Sequence, residues 1–537
     1  MNYPSIFNDV IGPVMRGPSS SHCAAACRIG LLARDLMDGC IEQVVIQFDP
    51  NGSLATTHES QGSDMGLFGG LLGWEPDDER MVESARYLEQ AGVQVRIEIV
   101  DSGAQHPNTY KLILRNTNEG HDMTAVSTGG GILEITEIDG VALSIAGDYF
   151  ETLIFADSQA EGITENLTNA AEVDEVVRHE AGHQAIIEVK SQTRLHDDVC
   201  RRLQSCKGVT TVKQLAPVLP ILSRKALAVP FINCAEMLVY NQGKNLALWE
   251  LAVRYESARG SISNRAVFDR MKQIVGLMRK SISQGLQGSS YQDRILGCQS
   301  GTYQTRLNDG RLLDAGLLNR MILYATALME VKSSMGVIVA APTAGACGGL
   351  PGACLGAADG MDLSQDEMSQ AMLAAGLIGV FICAHSTFAA EVCGCQAECG
   401  AGSGMAAAAL VTLAHGTLPQ TLAAASLALQ NTFGMVCDPV ASRVEVPCLG
   451  KNVLAAANAL ACANMALADF DPVIPLDEVI AAMDRVGRSL PHELRCTALG
   501  GLSVTKTSRE IEQRLARRQQ PIPPRRDSLF PSRQTRK

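Results

Sequence analysis

The chain has 537 residues, of which 46% are hydrophobic and 19% are charged, and its formal net charge is −12. A chain of this length can bury several hydrophobic cores, and we expect roughly three or four domains. The acidic balance argues against a nucleic-acid partner and against a basic membrane-binding surface, whereas it fits an enzyme that acts on a small molecule.

Targeting signals and cysteine usage both indicate an intracellular protein. The first residues lack a basic leader followed by an apolar run, and the later apolar stretches are interrupted before they reach spanning length, so we expect a cytoplasmic protein without a membrane contact. The 17 cysteines are odd in number and scattered. This distribution favours reduced thiols or metal ligands over a disulfide framework.

Residues 1–140 are predicted to form an α+β domain. Runs rich in β-branched residues and alternating in polarity indicate strands at QVVIQF, VQVRIEIV, YKLILR and GILEITEI. Between them, RIGLLARDLM and ERMVESARYLEQAG indicate helices, and Gly92 is the predicted C-cap of the second helix.

Residues 141–234 are predicted to form a small α+β middle module. Candidate strands are ALSIAG, ETLIFA, AIIEVKS and GVTTVKQL, and LHDDVCRRLQSC is a candidate helix before the last strand. The pattern suits a regulatory module, for which an ACT-like fold is one candidate.

Residues 235–508 are predicted to form an all-α domain. The β-branched alternation disappears, and segments such as EMSQAMLAAGLIGVFICA and VLAAANALACANMALADF carry small residues that let helices approach closely. Residues 509–537 are basic and rich in proline, so we expect a disordered tail.

Cysteines are the strongest chemical signal in the predicted helical domain. Cys393, Cys395 and Cys399 lie close together in EVCGCQAECG, upstream of Cys437 in Cys-Asp-Pro and Cys448 in Val-Pro-Cys. Converging thiolates can hold zinc or an iron–sulfur cluster, and the missing pairs of Cys-x-x-Cys make a cluster the better fit to this spacing. The alternative is a set of buried thiols without a metal.

A second motif suggests different chemistry. His179, Glu180 and His183 match the H-E-x-x-H pattern, which on a helix places two imidazoles where they can bind zinc. Gly182 weakens a helix, however, and QAIIEVKS reads as a strand immediately afterwards. A hairpin that turns at Ala181 and Gly182 explains the same residues, so we disfavour a zinc peptidase.

Several motifs together resemble the iron–sulfur-dependent L-serine dehydratases, with a β-type domain followed by an α-type domain. The resemblance covers residues 1–140 and 240–508, and its motifs are GPVMRGPSSSH, HPNT, STGGG, MGVIVAAPTAGACGGLPG, GCQAECG, CDPVASRVEVPC and TALGGL. It implies a 4Fe-4S cluster held by Cys395, Cys437 and Cys448. With three thiolate ligands, one iron would stay open and could act as a Lewis acid on the β-hydroxyl of serine.

The same resemblance directs attention to residues that could bind the amino-acid substrate. The predicted substrate-binding residues are Ser19, Ser20, Ser21, Thr343, Ala344 and Gly345. Turns rich in serine and glycine offer N–H and O–H donors to a carboxylate. The simpler explanations are an N-cap at PSSSH and a plain interhelical turn at PTAG. His22 and His106 are the candidate catalytic bases, because imidazole titrates in the useful range.

The sequence departs from the family pattern at several positions. Gln61 replaces the histidine of the usual GHGTD, Cys23 replaces a threonine, and Cys393 stands where a small residue is common. The chain also lacks a terminal cysteine. A related lyase for threonine, cysteine or hydroxyaspartate is therefore an alternative, and a non-catalytic amino-acid sensor is another. The expected assembly is a homodimer.

Overall fold

The computed structural model describes residues 3–158 and 173–519. Its N-terminal region contains a six-stranded sheet in the order β3-β2-β4-β5-β6-β7, in which only β2 and β3 run parallel. The strands are β2 Gln43–Phe48, β3 Gln94–Ile99, β4 Thr109–Arg115, β5 Gly120–Gly129, β6 Ile132–Ile138 and β7 Val141–Ile145. The helices are α1 Ala25–Leu36, α2 Leu54–Thr57, α3 Ser63–Leu71 and α4 Ser84–Gln90. The predicted mixed α/β character of this region is confirmed.

Alternating burial along the strands explains how the sheet packs. In β4 the side chains of Tyr110, Leu112 and Leu114 are buried and their neighbours are more exposed. This single apolar face packs with Ile29, Leu32 and other residues of α1 in one core. Gly92 follows α4 in the left-handed conformation (φ 82°), as expected for a helix C-cap.

The middle module has a second sheet, which is antiparallel throughout and ordered β11-β8-β10-β9. Its strands are β8 Phe150–Asp157, β9 Val173–Ala181, β10 Gln184–Ser191 and β11 Val209–Leu215, with helix α5 at Asp197–Gln204. The segment ALSIAG was predicted to belong to this module, but it forms β7 and pairs with β6 in the first sheet. An ACT-like fold for the module stays a prediction.

The H-E-x-x-H residues lie on a β-hairpin. Strand β9 ends at Ala181, Gly182 takes a left-handed conformation (φ 62°), and β10 begins at Gln184. His179 Nε2 lies 2.7 Å from a carboxylate oxygen of Glu188 on the neighbouring strand. Because the two histidines of the motif do not share a helix face, the geometry of a zinc peptidase is absent here.

The C-terminal region is helical apart from strand β12 at Ile338–Val339. Its helices are α6 Cys234–Asn241, α7 Leu248–Gly260, α8 Asn264–Gln287, α9 Ser300–Asn308, α10 Leu317–Ser333, α11 Gly349–Gly360, α12 Gln365–His385, α13 Ala390–Cys393, α14 Ala401–Leu413, α15 Leu418–Gln430, α16 Cys448–Leu467, α17 Leu476–Ser489 and α18 Lys506–Gln519. Helix α12 is long and apolar enough to span a membrane, but 78% of its most apolar window is buried against the rest of the protein.

Helix α18 corrects one prediction about the tail. Residues 509–519 were expected to be disordered, but they belong to this helix. Leu515 of α18 is buried with Val440 and Ala441 in a small apolar cluster. This contact gives the helix a partner, which a composition-based prediction of disorder does not consider. Residues 520–537 lie outside the described part of the chain.

The N-terminal segment, residues 3–15, packs into the helical region rather than into the first sheet. Ile6, Phe7, Val10 and Ile11 belong to the core of the helical region. Strand β1, Val14–Met15, pairs with β12, Val14 opposite Val339. On α12, a Cβ atom added to Gly379 would lie 2.1 Å from Val10 Cγ1, so only glycine permits this close approach. Through this packing and the pairing of β1 with β12, the segment connects the N-terminal region to the helical region.

Candidate active site

The serine turn, Ser19–His22, precedes α1 and faces the helical region. Residues 20–24 form one π-helical turn, and the Ser19 side chain caps no backbone N–H, so the N-cap explanation for this motif is wrong. Ser21 Oγ donates to Glu391 Oε1 at 2.9 Å, and Ser20 Oγ accepts from the backbone N–H of Ala344 at 3.2 Å. The serine hydroxyls thus contact residues more than 300 positions away in the chain.

His22 lies behind these hydroxyls and is fully buried. Its Nδ1 atom lies 3.1 Å from both Ser19 Oγ and Ser21 Oγ, and its Nε2 atom lies 3.0 Å from Thr57 Oγ1. Burial lowers the pKa of His22, while the Glu391 carboxylate acts in the opposite direction. The imidazole is therefore neutral at neutral pH and orients a network of hydroxyl groups.

The PTAG loop, residues 342–345, lies between β12 and α11. Thr343 Oγ1 donates to Glu398 Oε1 at 2.6 Å. Gly345 approaches the same carboxylate so closely that an added Cβ would lie 2.9 Å from Glu398 Oε1. Burial raises the pKa of Glu398 well above its usual range, and the charge of Cys395 adds to the shift. The loop and the Glu398 carboxyl group therefore form one unit beside the serine turn.

Glu398 also connects this loop to the cysteines. One oxygen of Glu398 lies with the sulfur atoms of Cys395 and Cys437 in a group whose atoms are all within 4.8 Å of one another. The distance from Cys395 Sγ to Glu398 Oε2 is 3.6 Å. Hydrogen bonds from the Cys399 and Cys437 thiols lower the pKa of Cys395 well below its usual range, so this sulfur is a ready thiolate ligand.

Five buried cysteines define what we call the thiol pocket, namely Cys395, Cys399, Cys437, Cys448 and Cys496. Cys448 is outside the tight group with Glu398, but its thiol interacts electrostatically with those of Cys395 and Cys399. A four-iron cluster is wider than a single ion, so its thiolate ligands need not lie mutually this close. A donor set of several buried soft thiolates fits such a cluster.

Cys496 was not predicted to take part in the site. Its backbone N–H donates to the Cys437 carbonyl at 3.0 Å, and the Cys437 N–H donates to the Leu494 carbonyl at 2.8 Å. These two bonds hold the segment around Cys496 beside Cys437. Gln61 Nε2, in the position of the family histidine, lies 3.6 Å from Cys496 Sγ. This thiol therefore stands between the N-terminal region and the other cysteines.

Other predicted residues lie at the margin of the site. His106 is half-buried, and its Nδ1 accepts from the Asn108 N–H at 3.1 Å. Burial lowers the pKa of His106, with Glu391 as an opposing charge. Cys393 Sγ lies 4.0 Å from the Asp484 carbonyl oxygen on α17, outside the group around Glu398. His106 thus shares the electrostatic environment of Glu391 with His22.

Sequence reasoning missed two glutamates of the site, of which Glu391 is buried and Glu398 is half-buried. Glu391 and Glu398 both occur in AAEVCGCQAECG, where carboxylates stand among alanine, glycine and cysteine. Carboxylates are rarely buried without a partner or a function, so this context was the available signal. Thr57 had no comparable signal, because its contact with His22 depends on the fold alone.

Comparisons with known proteins find relatives among the serine dehydratases. Residues 243–503 match the family described as serine dehydratase alpha chain. The probable L-serine dehydratase alpha chain of Bacillus subtilis is 35% identical over 285 residues, which cover 53% of this chain and 95% of that protein. The chain belongs to the L-serine dehydratase family.

Further L-serine dehydratases match other parts of the chain. The probable L-serine dehydratase beta chain of Bacillus subtilis is 32% identical over 223 residues, covering 40% of this chain and 100% of that protein. The L-serine dehydratase of Helicobacter pylori is 26% identical over 499 residues, covering 91% of this chain and 96% of that protein. This chain therefore combines the two kinds of region in one polypeptide.

Proposed function

We propose that this protein is a cytoplasmic L-serine ammonia-lyase, which converts L-serine to pyruvate and ammonia by dehydration. The single observation that carries the proposal is the meeting of three segments at one place: the serine turn, the PTAG loop and the thiol pocket. The names of the relatives support serine as the substrate.

The cofactor we propose is a 4Fe-4S cluster held by Cys395, Cys437 and Cys448. When bound, it would supply a Lewis-acidic iron that makes the β-hydroxyl of serine a better leaving group. The burial of all three thiols supports the choice of these residues, and the lowered pKa of Cys395 supports that residue alone.

The protein's own groups would bind the substrate and move a proton. The hydroxyl groups of Ser19, Ser20 and Ser21 and the backbone of the PTAG loop offer donors to the substrate carboxylate, as the Ser20 to Ala344 contact brings both segments together. Neutral His22 would accept the α-proton at Nδ1 through the Ser19 hydroxyl, which gives up its own proton as it takes that of the substrate, with Glu391 stabilising the resulting imidazolium. His106 is the second candidate base.

We also propose a regulatory, ACT-like role for the middle module. Its strand order β11-β8-β10-β9 and the packing of α5 residue Leu203 with Ile154 and Ile187 on one face support this assignment. A homodimer is the assembly we propose, and multi-angle light scattering of the purified protein tests it.

The proposed cofactor is tested by iron and sulfide analysis of protein purified without oxygen. The proposed activity is tested on the same protein by an assay for pyruvate or the corresponding oxoacid. We expect iron and sulfide in the protein and the highest kcat/KM with L-serine among serine, threonine, cysteine and hydroxyaspartate. Faster turnover of another of these amino acids would reassign the substrate. Protein that binds no iron after anaerobic reconstitution would overturn the cofactor and the mechanism together.

A further inference from the structure

A cavity of about 420 Å³ lies where the three regions of the protein meet. Its walls come from the N-terminal segment, from α1, from the stretch that follows β11, and from α8. The volume is within the range of sites that bind small molecules. None of the residues assigned to the candidate active site lines this cavity.

Arg28 of α1 is the most unusual residue in this wall. Its side chain is only 3% exposed, and its Nη1 atom donates to the Gly131 carbonyl oxygen at 2.5 Å. Its Nε atom has no hydrogen-bond partner among the described residues. A buried guanidinium N–H is costly to leave unpaired, and planar guanidinium groups bind carboxylates well. Because Arg28 lines the cavity, its guanidinium group offers positive charge to a ligand there.

A second guanidinium lines the same cavity. Arg270 of α8 is half-buried, its Nη1 atom donates to the Pro220 carbonyl oxygen at 3.2 Å, and its guanidinium lies 5.6 Å from the centre of the Phe7 ring. These contacts fix the position of the cation, and Glu256 interacts with it electrostatically. Two positive groups in one partly closed cavity favour a negatively charged ligand.

The other residues that line the cavity indicate the chemistry of the rest of the ligand. Glu75 and Asp77 are exposed, so they offer negative charge at the rim, and Glu75 interacts electrostatically with Arg28. Apart from Gln273, the other lining side chains are apolar and include Ile11, Val14, Val218, Leu219, Ile274 and Leu277. One buried and one half-buried cation, acidic groups at the mouth and aliphatic walls together match a carboxylate, an ammonium group and an aliphatic side chain.

We propose that the cavity between α1, α8 and the stretch after β11 is a binding site for a free α-amino acid with an aliphatic side chain. The carboxylate binds the guanidinium groups of Arg28 and Arg270, the ammonium group lies toward Glu75 and Asp77, and the side chain packs on the apolar wall. The site is separate from the serine turn and the thiol pocket.

Isothermal titration of the full-length, cluster-loaded protein with L-leucine tests this proposal, and it needs no turnover. We expect saturable binding of L-leucine, binding of 4-methylpentanoate that is about tenfold weaker because it lacks the ammonium group, and no saturable binding of isopentylamine. No saturable binding of L-leucine would overturn the site. Equal binding of 4-methylpentanoate and L-leucine would overturn the amino-acid assignment.

Variants of residues inside and outside the cavity test where L-leucine binds. Arg270→Gln should weaken L-leucine binding at least about tenfold, because a charge-assisted hydrogen bond is lost. Lys272→Gln is the matched control, since Lys272 is on the same helix but pairs with Asp366 outside the cavity. Arg28→Lys tests the buried group and should also weaken binding. If Arg270→Gln and Lys272→Gln bind L-leucine equally well, the ligand is not in this cavity.

Discussion

The two walls of the candidate active site are built in different ways. Every cysteine of the thiol pocket comes from residues 395–496, so the helical region alone forms this wall. The wall formed by the serine turn depends on Thr57 for His22, on Glu391 for Ser21 and on Ala344 for Ser20. A metal site can therefore be formed within one region, whereas the substrate-binding groups depend on how the regions fit together.

The largest expected effect comes from replacing a cysteine of the thiol pocket. Cys437→Ser should reduce bound iron to background and lower the rate of serine deamination on the order of 100-fold or more, since even indirect partners of metal ligands contribute 10–100-fold. Iron analysis and the pyruvate assay measure both effects. Cys354→Ser is the matched control, because Cys354 is equally buried but lies in the core of the helical region. Full iron content in Cys437→Ser would remove this residue from the ligand set.

A smaller effect is expected from the opposite wall. Glu391→Gln removes the charged acceptor of the Ser21 hydroxyl, and a hydrogen bond to a charged group contributes roughly 1.5–3 kcal/mol. We therefore expect kcat/KM for L-serine to fall about 10–100-fold while the iron content stays normal. The exposed Glu478→Gln is the control. A loss of iron in Glu391→Gln would contradict the separation of the two walls.

The N-terminal segment that joins the two regions should respond to pH. Glu256 accepts from the Ser5 hydroxyl and from the Ile6 N–H, and burial raises its pKa from 4.5 to about 7. A raised carboxyl pKa means that the folded protein binds the proton more tightly, so this contribution is complete below about pH 4.5 and is lost as the pH rises through 7. The wild type should lose stability relative to Glu256→Gln over this interval, on the order of 3 kcal/mol.

Urea unfolding of both proteins at several pH values between 4.5 and 8 measures this difference. The variant has no titratable group at this position, so the comparison isolates Glu256. A difference in unfolding free energy that does not change with pH would show that Glu256 has the same pKa in the folded and unfolded chain.

The smallest expected effect concerns the middle module behind α1. Lys213 Nζ lies 2.6 Å from Asp38 Oδ2 and 2.7 Å from Glu119 Oε1, and it joins the module to the N-terminal region. Lys213 is only 1% exposed, but the side chains of Asp38 (67% exposed) and Glu119 (27% exposed) reach water, so we expect Lys213→Met to lower the free energy of unfolding by about 1–2 kcal/mol. Lys207→Met, at an exposed position of the same module, serves as the control, and an equal result for both variants would discount the bridge.

Much of the fold was predictable because its signals are local. The predicted strand QVVIQF is β2 without change, and Gly92 ends a helix as its conformational freedom suggests. The assignment of β7 to the middle module was wrong because period-two alternation identifies a strand but not the sheet it joins. The tail prediction failed over residues 509–519 because burial of Leu515 outweighed the basic composition.

The candidate site was predictable to a different extent on its two walls. Cysteines in a glycine-rich stretch and beside prolines are a local signal for a metal site, and the family resemblance selects Cys395, Cys437 and Cys448 among them as candidate ligands. The partners of the serine turn could not be found in this way, because Ser21 and Glu391 are 370 positions apart in the chain. The residue type can indicate a metal-binding side chain, but long-range hydrogen bonds depend on tertiary packing and cannot be predicted from the residue type.

The placement of residues 3–15 has a consequence for any attempt to divide this polypeptide into halves. A fragment that begins after the middle module would contain every helix from α6 onward, yet its interior would lack Ile6, Phe7, Val10 and Ile11. Expressed alone, such a fragment would expose the apolar groove that these four side chains fill. Two fragments divided after the middle module should form a folded complex only when they are produced together. Residues 3–15 of the first fragment can then pack into the helical region of the second fragment while it folds.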